Sequence, residues 1–321
     1  MIQYANRGIP RADLGAAAME FVMNQADFVA GNVLPELPVQ NKSGKIAVVT
    51  REGITTEVDA KRAPSGAYNR DSFTAEDLEY ACEEFGLEGP LPDERRREYV
   101  SDFDAELLTV QTTMRKLLVQ RERRVAAAVF NATTWLSSDA TLYTDWASSA
   151  PWTTAASDAY AHVAAAKEQV RINCGIEPNA LICNQTTINR LKQLTVIKAV
   201  IAYVERGTDA ALFSAISDLF GLPKIIVARA TTNSAQEGQT FVGANLWSNL
   251  YAMVAVVSDA GPAPTPGIGR TPLWTPDSPS SLVIESYYEP ERRQEIYRCR
   301  HDVDELIVDK YFGHLMKIAL A

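Results

Sequence analysis

Apolar residues recur at steps of three and four from Asp104 to Asn131, where Leu107, Val110, Met114, Leu117, Leu118, Val125, Ala128 and Val129 line one side of a helix without interior Gly or Pro. Ser101, Asp102 and Asp104 offer capping oxygens ahead of the first turn, so the spacing predicts an unbroken helix of roughly 40 Å. Lys116, Gln120 and Arg123 hold the opposite face, and Arg121 intrudes on the apolar stripe. Such a helix packs along one side and keeps the other for solvent or a partner.

Before it, residues 11–30 read as an amphipathic helix through Leu14, Ala18, Phe21, Val22 and Phe28, and Pro35 and Pro38 then impose an extended arm. From Gly44 to about Arg70 the period shortens to that of strands: Lys45 to Thr50, a turn signal at Arg51, Glu52 and Gly53, and a return over Ile54 to Val58. A lone two-stranded ribbon is marginal in water and its open edges invite another chain, so it is expected to rest on a neighbour. Gly86, Gly89, Pro90 and Pro92 predict a loop in the acidic stretch that follows. Beyond the long helix, a polar Trp- and Ser-rich connection up to about residue 152 marks a boundary. Helix and strand then alternate: a helix capped by Ser157 and Asp158 and closed by Gly175, a strand over Ala180 to Cys183, helices over Thr186 to Tyr203 and Ala210 to Phe220, and a strand over Lys224 to Ala228. Tyr251 to Val257 is a strand, a proline-rich stretch follows, and the C-terminal part is again β over Leu282 to Tyr288, Glu295 to Arg300, Val303 to Val308 and Leu315 to Leu320.

The 321 residues, 46% of them hydrophobic, suffice for a real core. No apolar run is long enough to span a bilayer, and the first residues lack the order of a signal peptide, which places the chain in the cytoplasm where it is made. A net charge of −9 and a pI near 5.0 argue against gripping nucleic acid. Basic clusters at Arg95 to Arg97, Arg121 to Arg124 and Arg292 to Arg293 are interleaved with glutamate, as in solvated faces or intersubunit ion pairs. Cys82, Cys174, Cys183 and Cys299 lack a repeated spacing and read as reduced, buried thiols, with no metal site implied. His162, His301 and His314 have no nucleophile motif beside them, and no phosphate loop, nucleophile elbow or zinc helix is present. Gly267, Ile268, Gly269 and Arg270 open like a dinucleotide loop, but Pro272 stands in the place of the third glycine and the stretch reads as a surface loop. No cofactor is expected and the enzyme reading has no positive support. An arm, a ribbon and a very long helix make poor sense in a lone monomer.

The order of these parts resembles the major capsid protein of tailed bacteriophages, the Johnson fold of the Hong Kong 97 type. ADFVAGNVLPELPVQNKSGKIAVV is similar to the family's passage from a helix through a proline-bearing arm into the strand that opens an extended loop. Tyr80 to Leu87 with Leu91 to Glu94 resembles the segment before the spine helix, and Gly175 to Ile182 the start of the axial domain. Leu219 to Leu222, Val227 to Ala228, Tyr251 to Val257 and the Pro/Gly stretch ending in Leu273 and Trp274 continue the same order over nearly the whole chain. The resemblance implies an α+β fold with an N-terminal arm at 1–39, an extended β-hairpin loop at 40–75, a peripheral domain at 76–154 and 277–321 with its spine helix at 104–131, and an axial domain at 155–276.

By that resemblance the chain assembles with itself through pentamers and hexamers into an icosahedral shell enclosing phage double-stranded DNA without sequence-specific binding. The expected partners are a scaffolding protein, a portal and a possible decoration protein, with assembly in the host cytoplasm and residence in the virion. The candidate intersubunit contacts are Pro35, Pro38, Arg51, Glu52, Lys61, Arg62, Arg95, Arg96, Arg97, Arg121, Arg123 and Arg124. Lys42, Lys45 and Lys61 lie in or near the loop, but no motif supports isopeptide crosslinking. An encapsulin-like nanocompartment shell shares the fold and would be told apart by a cargo enzyme with a docking tail; an enzyme of another family is the different-class alternative.

Overall fold

The computed structural model describes residues 9–10, 27–49, 51, 55–57, 59–62, 66–70, 75–99, 104–201, 209–261, 265–278 and 281–319. The helix expected over 11–30 falls almost wholly outside them. The first part of the chain forms β1 (Ile9–Pro10), α1 (Ala30–Val33), β2 (Glu36–Val39), β3 (Ser43–Val49), β4 (Ala75–Ala81), β5 (Glu83–Pro92), α2 (Asp93–Glu98) and α3 (Ala105–Val129). The expected long helix is α3, whose N-cap is Asp104: its carboxylate accepts the Glu106 and Leu107 N–H groups at 3.0 and 3.1 Å.

Two of the expectations for this part change. The ribbon's return strand is β4, paired from Ser43↔Ala81 to Val49↔Ala75, and not the stretch over Ile54 to Val58, where among the described residues Arg51 and Thr55 are helical and Thr56 and Glu57 are in no strand. The stretch with Gly86, Gly89, Pro90 and Pro92 is not a loop but β5, paired with a C-terminal strand along its whole length from Glu83↔Val303 to Pro92↔Gln294. Gly89 serves packing: a Cβ on it would fall on the Thr113 hydroxyl and 2.9 Å from Thr109 Cγ2, so its absence lets α3 lie directly on the strand. The prolines are tolerated because β5 is an edge strand, with one partner among the described residues.

The remaining elements are β6 (Tyr143–Asp145), α4 (Ala159–Cys174), β7 (Ala180–Asn184), α5 (Gln185–Leu191), α6 (Thr195–Ile201), α7 (Asp209–Phe220), β8 (Lys224–Ala228), β9 (Thr231–Asn233), β10 (Gly243–Asn245), β11 (Tyr251–Ala255), β12 (Gly269–Trp274), β13 (Val283–Glu289), β14 (Gln294–Val303), β15 (Leu306–Ile307) and β16 (Gly313–Lys317). Helix α4 starts at its Asp158 cap and stops where Gly175 takes φ 71°, a left-handed value that suits glycine. The single helix expected over 186–203 is two, α5 and α6.

A seven-stranded sheet runs β1-β13-β14-β12-β15 with β2 added to β12 and β5 to β14, and a five-stranded sheet runs β6-β16-β11-β7-β8. One expectation fails here. Gly267 to Arg270 is no surface loop: Ile268 is fully buried and β12 is buried over Gly269 to Leu273. The strands after residue 277 divide between the two sheets, since β16 pairs with β11 and β6. The five-stranded sheet is covered on both faces. Ile182, Met253 and Leu315 pack toward α3 and the arm, and Leu181, Val254 and Met316 toward α4, α5 and α7. The connection after α3 is irregular, as expected, yet Trp135, Leu142 and Trp152 in it are fully buried and knit it into both cores. A third core lies under the N-terminal half of α3, where Val110, Met114 and Leu117 meet Ile284, Tyr297 and Cys299.

Candidate assembly surfaces

The β3–β4 ribbon is amphipathic because opposed residues share a face. Ile46 faces Leu78 and Val48 faces Glu76 on one side; Lys45 faces Glu79 and Ala47 faces Asp77 on the other. Ile46, Val48 and Leu78 are half-buried over a cavity of about 260 Å³ that Leu37, Leu306, Val308 and Phe312 also line. The outer face carries exposed charge, with Lys45 and Glu79 3.7 Å apart, a pair worth little in stability. The root is fixed more firmly: the Ala81 N–H donates to Asp304 at 3.0 Å, the Cys82 N–H to the Lys42 carbonyl at 2.8 Å and the Tyr80 hydroxyl to the Asn41 carbonyl at 3.1 Å.

Of the candidates in the loop, Arg51 stacks its guanidinium 3.5 Å from the Tyr311 ring centre, within its own chain. Lys61 and Arg62 are exposed, and Arg62 donates to the Gly66 carbonyl at 2.6 Å and lies over the ring of Tyr68, itself 73% exposed. Glu52 lies outside the described residues. In the arm, Pro35 is buried and its carbonyl accepts the Thr271 N–H at 2.9 Å, whereas Pro38 is exposed on β2 beside β12.

Arg95, Arg96 and Arg97 are all exposed on α2, and Arg96 pairs with Glu106 and with Glu295. Arg121 and Arg124 turn inward. Arg121 reaches Glu36 at 2.7 Å, and Arg124 grips Glu305 through three contacts of 2.6 to 3.1 Å while lying 3.7 Å from the Phe85 ring centre. Arg123 alone of that run is surface-exposed, donating to the Thr232 hydroxyl at 3.3 Å.

Two features escaped the sequence reading. Glu122 is fully buried: one oxygen accepts the Val29 N–H at 3.1 Å and the Trp247 indole N–H at 2.6 Å, the other the Ala30 N–H at 2.9 Å. Burial pushes its carboxyl above the usual range, while these hydrogen bonds and Arg121 pull the other way. A signal was present, since 118, 122, 125 and 129 continue the three–four spacing of the stripe. The second is the β9–β10 hairpin, whose loop presents Phe241 and Val242, 72% and 52% exposed, while Asn233 ties it back by accepting the Val242 N–H at 3.0 Å.

The buried polar groups are structural. His162 Nδ1 accepts the Trp152 indole N–H at 2.9 Å, and His314 is bonded to Thr144 and Thr141 at 2.9 and 3.0 Å. The four cysteines are free and buried, and burial raises Cys82 to about 11 and Cys183 and Cys299 to about 12, which keeps them unreactive thiols. Among the described residues no group of three His, Cys, Asp or Glu side chains could hold a metal ion, and no helix is long and apolar enough to cross a membrane.

A family model described as phage capsid protein matches residues 97–313. The chain is 24% identical over 225 residues to the major capsid protein of Burkholderia phage BcepMu, covering 69% of this chain and 70% of that one. Its fold is similar to the crystal structure of a phage-related protein from Bordetella bronchiseptica RB50, with a TM-score of 0.74 at 20% identity over 98% of each chain. It is also similar to a Microbacterium phage Oxtober96 structure, with a TM-score of 0.58 at 12% identity over 90% of each. The matched span includes the long helix and most strands of both sheets, and so this α+β chain of the Hong Kong 97 type belongs to the phage capsid protein family, as a structural protein rather than an enzyme.

Proposed function

We propose that this chain is the major capsid protein of a tailed phage, building pentamers and hexamers that close into an icosahedral head around double-stranded DNA. The observation that carries the reading is the β3–β4 ribbon: fixed at its root, charged on its outer face, and without a further partner strand among the described residues. Heterologous contacts of this kind close rings and shells, and several modest contacts per subunit keep assembly correctable. In this reading the loop with Lys61 and Arg62 reaches a neighbour, α2 with Arg95 and Arg97 forms rim ion pairs, and the Phe241–Val242 tip buries against another copy. The seven-stranded sheet with α3 makes the peripheral part; the five-stranded sheet with α4 to α7 and the β9–β10 hairpin makes the axial part. The net charge of −9 suits a container from which DNA must leave. A scaffolding protein, a portal and a decoration protein are the proposed partners, with assembly in the host cytoplasm and residence in the virion.

Electron microscopy of the expressed protein, with a scaffolding partner where needed, tests the reading: rings or shells are expected, and a persistently compact monomer counts against it. Replacing residues 50–74 by an Asn-Gly turn that keeps β3 and β4 paired should give a folded subunit that no longer assembles. Unimpaired shells from that variant would remove the loop's role.

A further inference from the structure

Residues 121 to 124 each bind a different part of the molecule. Consecutive side chains on a helix point about 100° apart, so four in a row sweep the full circle around it. Arg121 holds β2 through Glu36, Arg123 touches β9 at Thr232, and Arg124 holds the turn between β14 and β15 through Glu305. Glu122 holds two parts at once: the amides of Val29 and Ala30 at the start of the arm, and the indole of Trp247, two residues after β10. Trp247 is in turn seated by the Asn184 side chain, which donates to its carbonyl at 2.6 Å, and by the Phe130 ring edge at 4.9 Å between centroids.

A carboxylate with no solvent access depends on every donor it has. Removing one leaves more uncompensated charge in a low-dielectric site and weakens the hold on the others as the group seeks water. We propose that Glu122 is a positioning residue that couples the N-terminal arm to the β9–β10 hairpin, so that displacing either one loosens the other. Its use in assembly rests on the reading above, in which another copy engages the hairpin tip; the coupling itself belongs to the single subunit. A subunit whose tip is captured would thereby present a looser arm.

Hydrogen exchange on unassembled full-length subunits tests this whether or not shells form. Trp247→Phe removes the indole N–H and keeps the apolar bulk. It should speed exchange of the Val29 and Ala30 amides by about tenfold, the scale of one charge-assisted hydrogen bond, although the indole does not bond to those amides. Glu122→Gln should speed exchange both there and at residues 246–248. The amides of Leu181 to Cys183 in β7 should keep their rates in both variants. Arm amides within about twofold of wild type in Trp247→Phe would overturn the coupling. Faster exchange that included β7 would also overturn it, as global loosening. If Glu122→Gln does not fold, the Trp247→Phe measurement decides alone.

Discussion

Arg95, Arg96 and Arg97 occupy α2, six residues long, where all three side chains are exposed; Arg121, Glu122, Arg123 and Arg124 occupy the far part of the 25-residue α3, where only Arg123 is exposed. The first run has charge to offer a partner because it packs so little of itself. The second has spent its charge inside the subunit, joining arm, hairpin and sheet. Charge density alone therefore says little about an interface; the number of elements around a helix decides how much of its charge is left outside.

The largest expected effect is at Arg121, whose side chain is 8% exposed against 31% for Glu36. Glu36→Ala strands a buried guanidinium and should cost about 3 kcal/mol in urea unfolding of the subunit. Arg121→Met removes the charge but keeps the stem's packing and should cost less than about 1.5 kcal/mol. Equal costs would mean that the pair, not the desolvated charge, sets the energetics.

Next comes pH. His301 is fully buried, and burial first, then Arg121 and Arg124, lower it from its ordinary 6.5 to about 3. The folded state keeps it neutral while the unfolded chain takes up a proton below 6.5, so its contribution to stability is full above that value and is lost as pH falls toward 3. In His301→Gln the fall in urea midpoint between these limits should be shallower; an unchanged slope would assign the acid sensitivity elsewhere.

Smaller still, Arg123→Glu should change stability by less than about 1 kcal/mol. Intact assembly in that variant would end its candidacy as an intersubunit contact. Smallest in stability is Arg95→Ala with Arg97→Ala, within about 0.5 kcal/mol of wild type. Light scattering should nevertheless show slower assembly for this double variant at low salt, a difference that fades toward about 1 M salt as exposed charges are screened. Equal assembly rates at low salt would make α2 a solvated face and remove half of the contrast.

Regular elements were legible where one physical cause acted alone. The stripe of α3, the Asp158 cap and Gly175 stop of α4, and the strands β7 and β8 lie where the pattern puts them. The failures share a cause in distant contact. Gly86 and Gly89 read as a loop because nothing local announces that β14 pairs along them and that α3 lies on Gly89, and the return strand of the ribbon was sought close to Arg51 although it begins at Ala75. Ile268 and β12 looked like proline-rich surface because their burial comes from distant partners: β2, β14 and β15 beside the strand, and Val256, whose carbonyl accepts the Ile268 N–H. Of the candidate assembly surfaces, the ribbon's β character and the basic run on α2 were visible in advance. Glu122 went unnoticed because a glutamate on an apolar stripe means nothing until its donors arrive from residues 29, 30 and 247.

The position of β16 has a consequence for how the protein is born. Its five residues lie between β11 and β6, an inner place in a sheet whose other strands are made long before it. Until residues 313–317 leave the ribosome, β11 has an open edge, the core around Trp135 lacks Leu315 and the core around Trp152 lacks Met316. The sheet therefore closes only after its other four strands have been made, because non-local pairing must wait for its partner. A nascent chain that has not yet released residues 313–317 is thus an unfinished subunit with an exposed sheet edge.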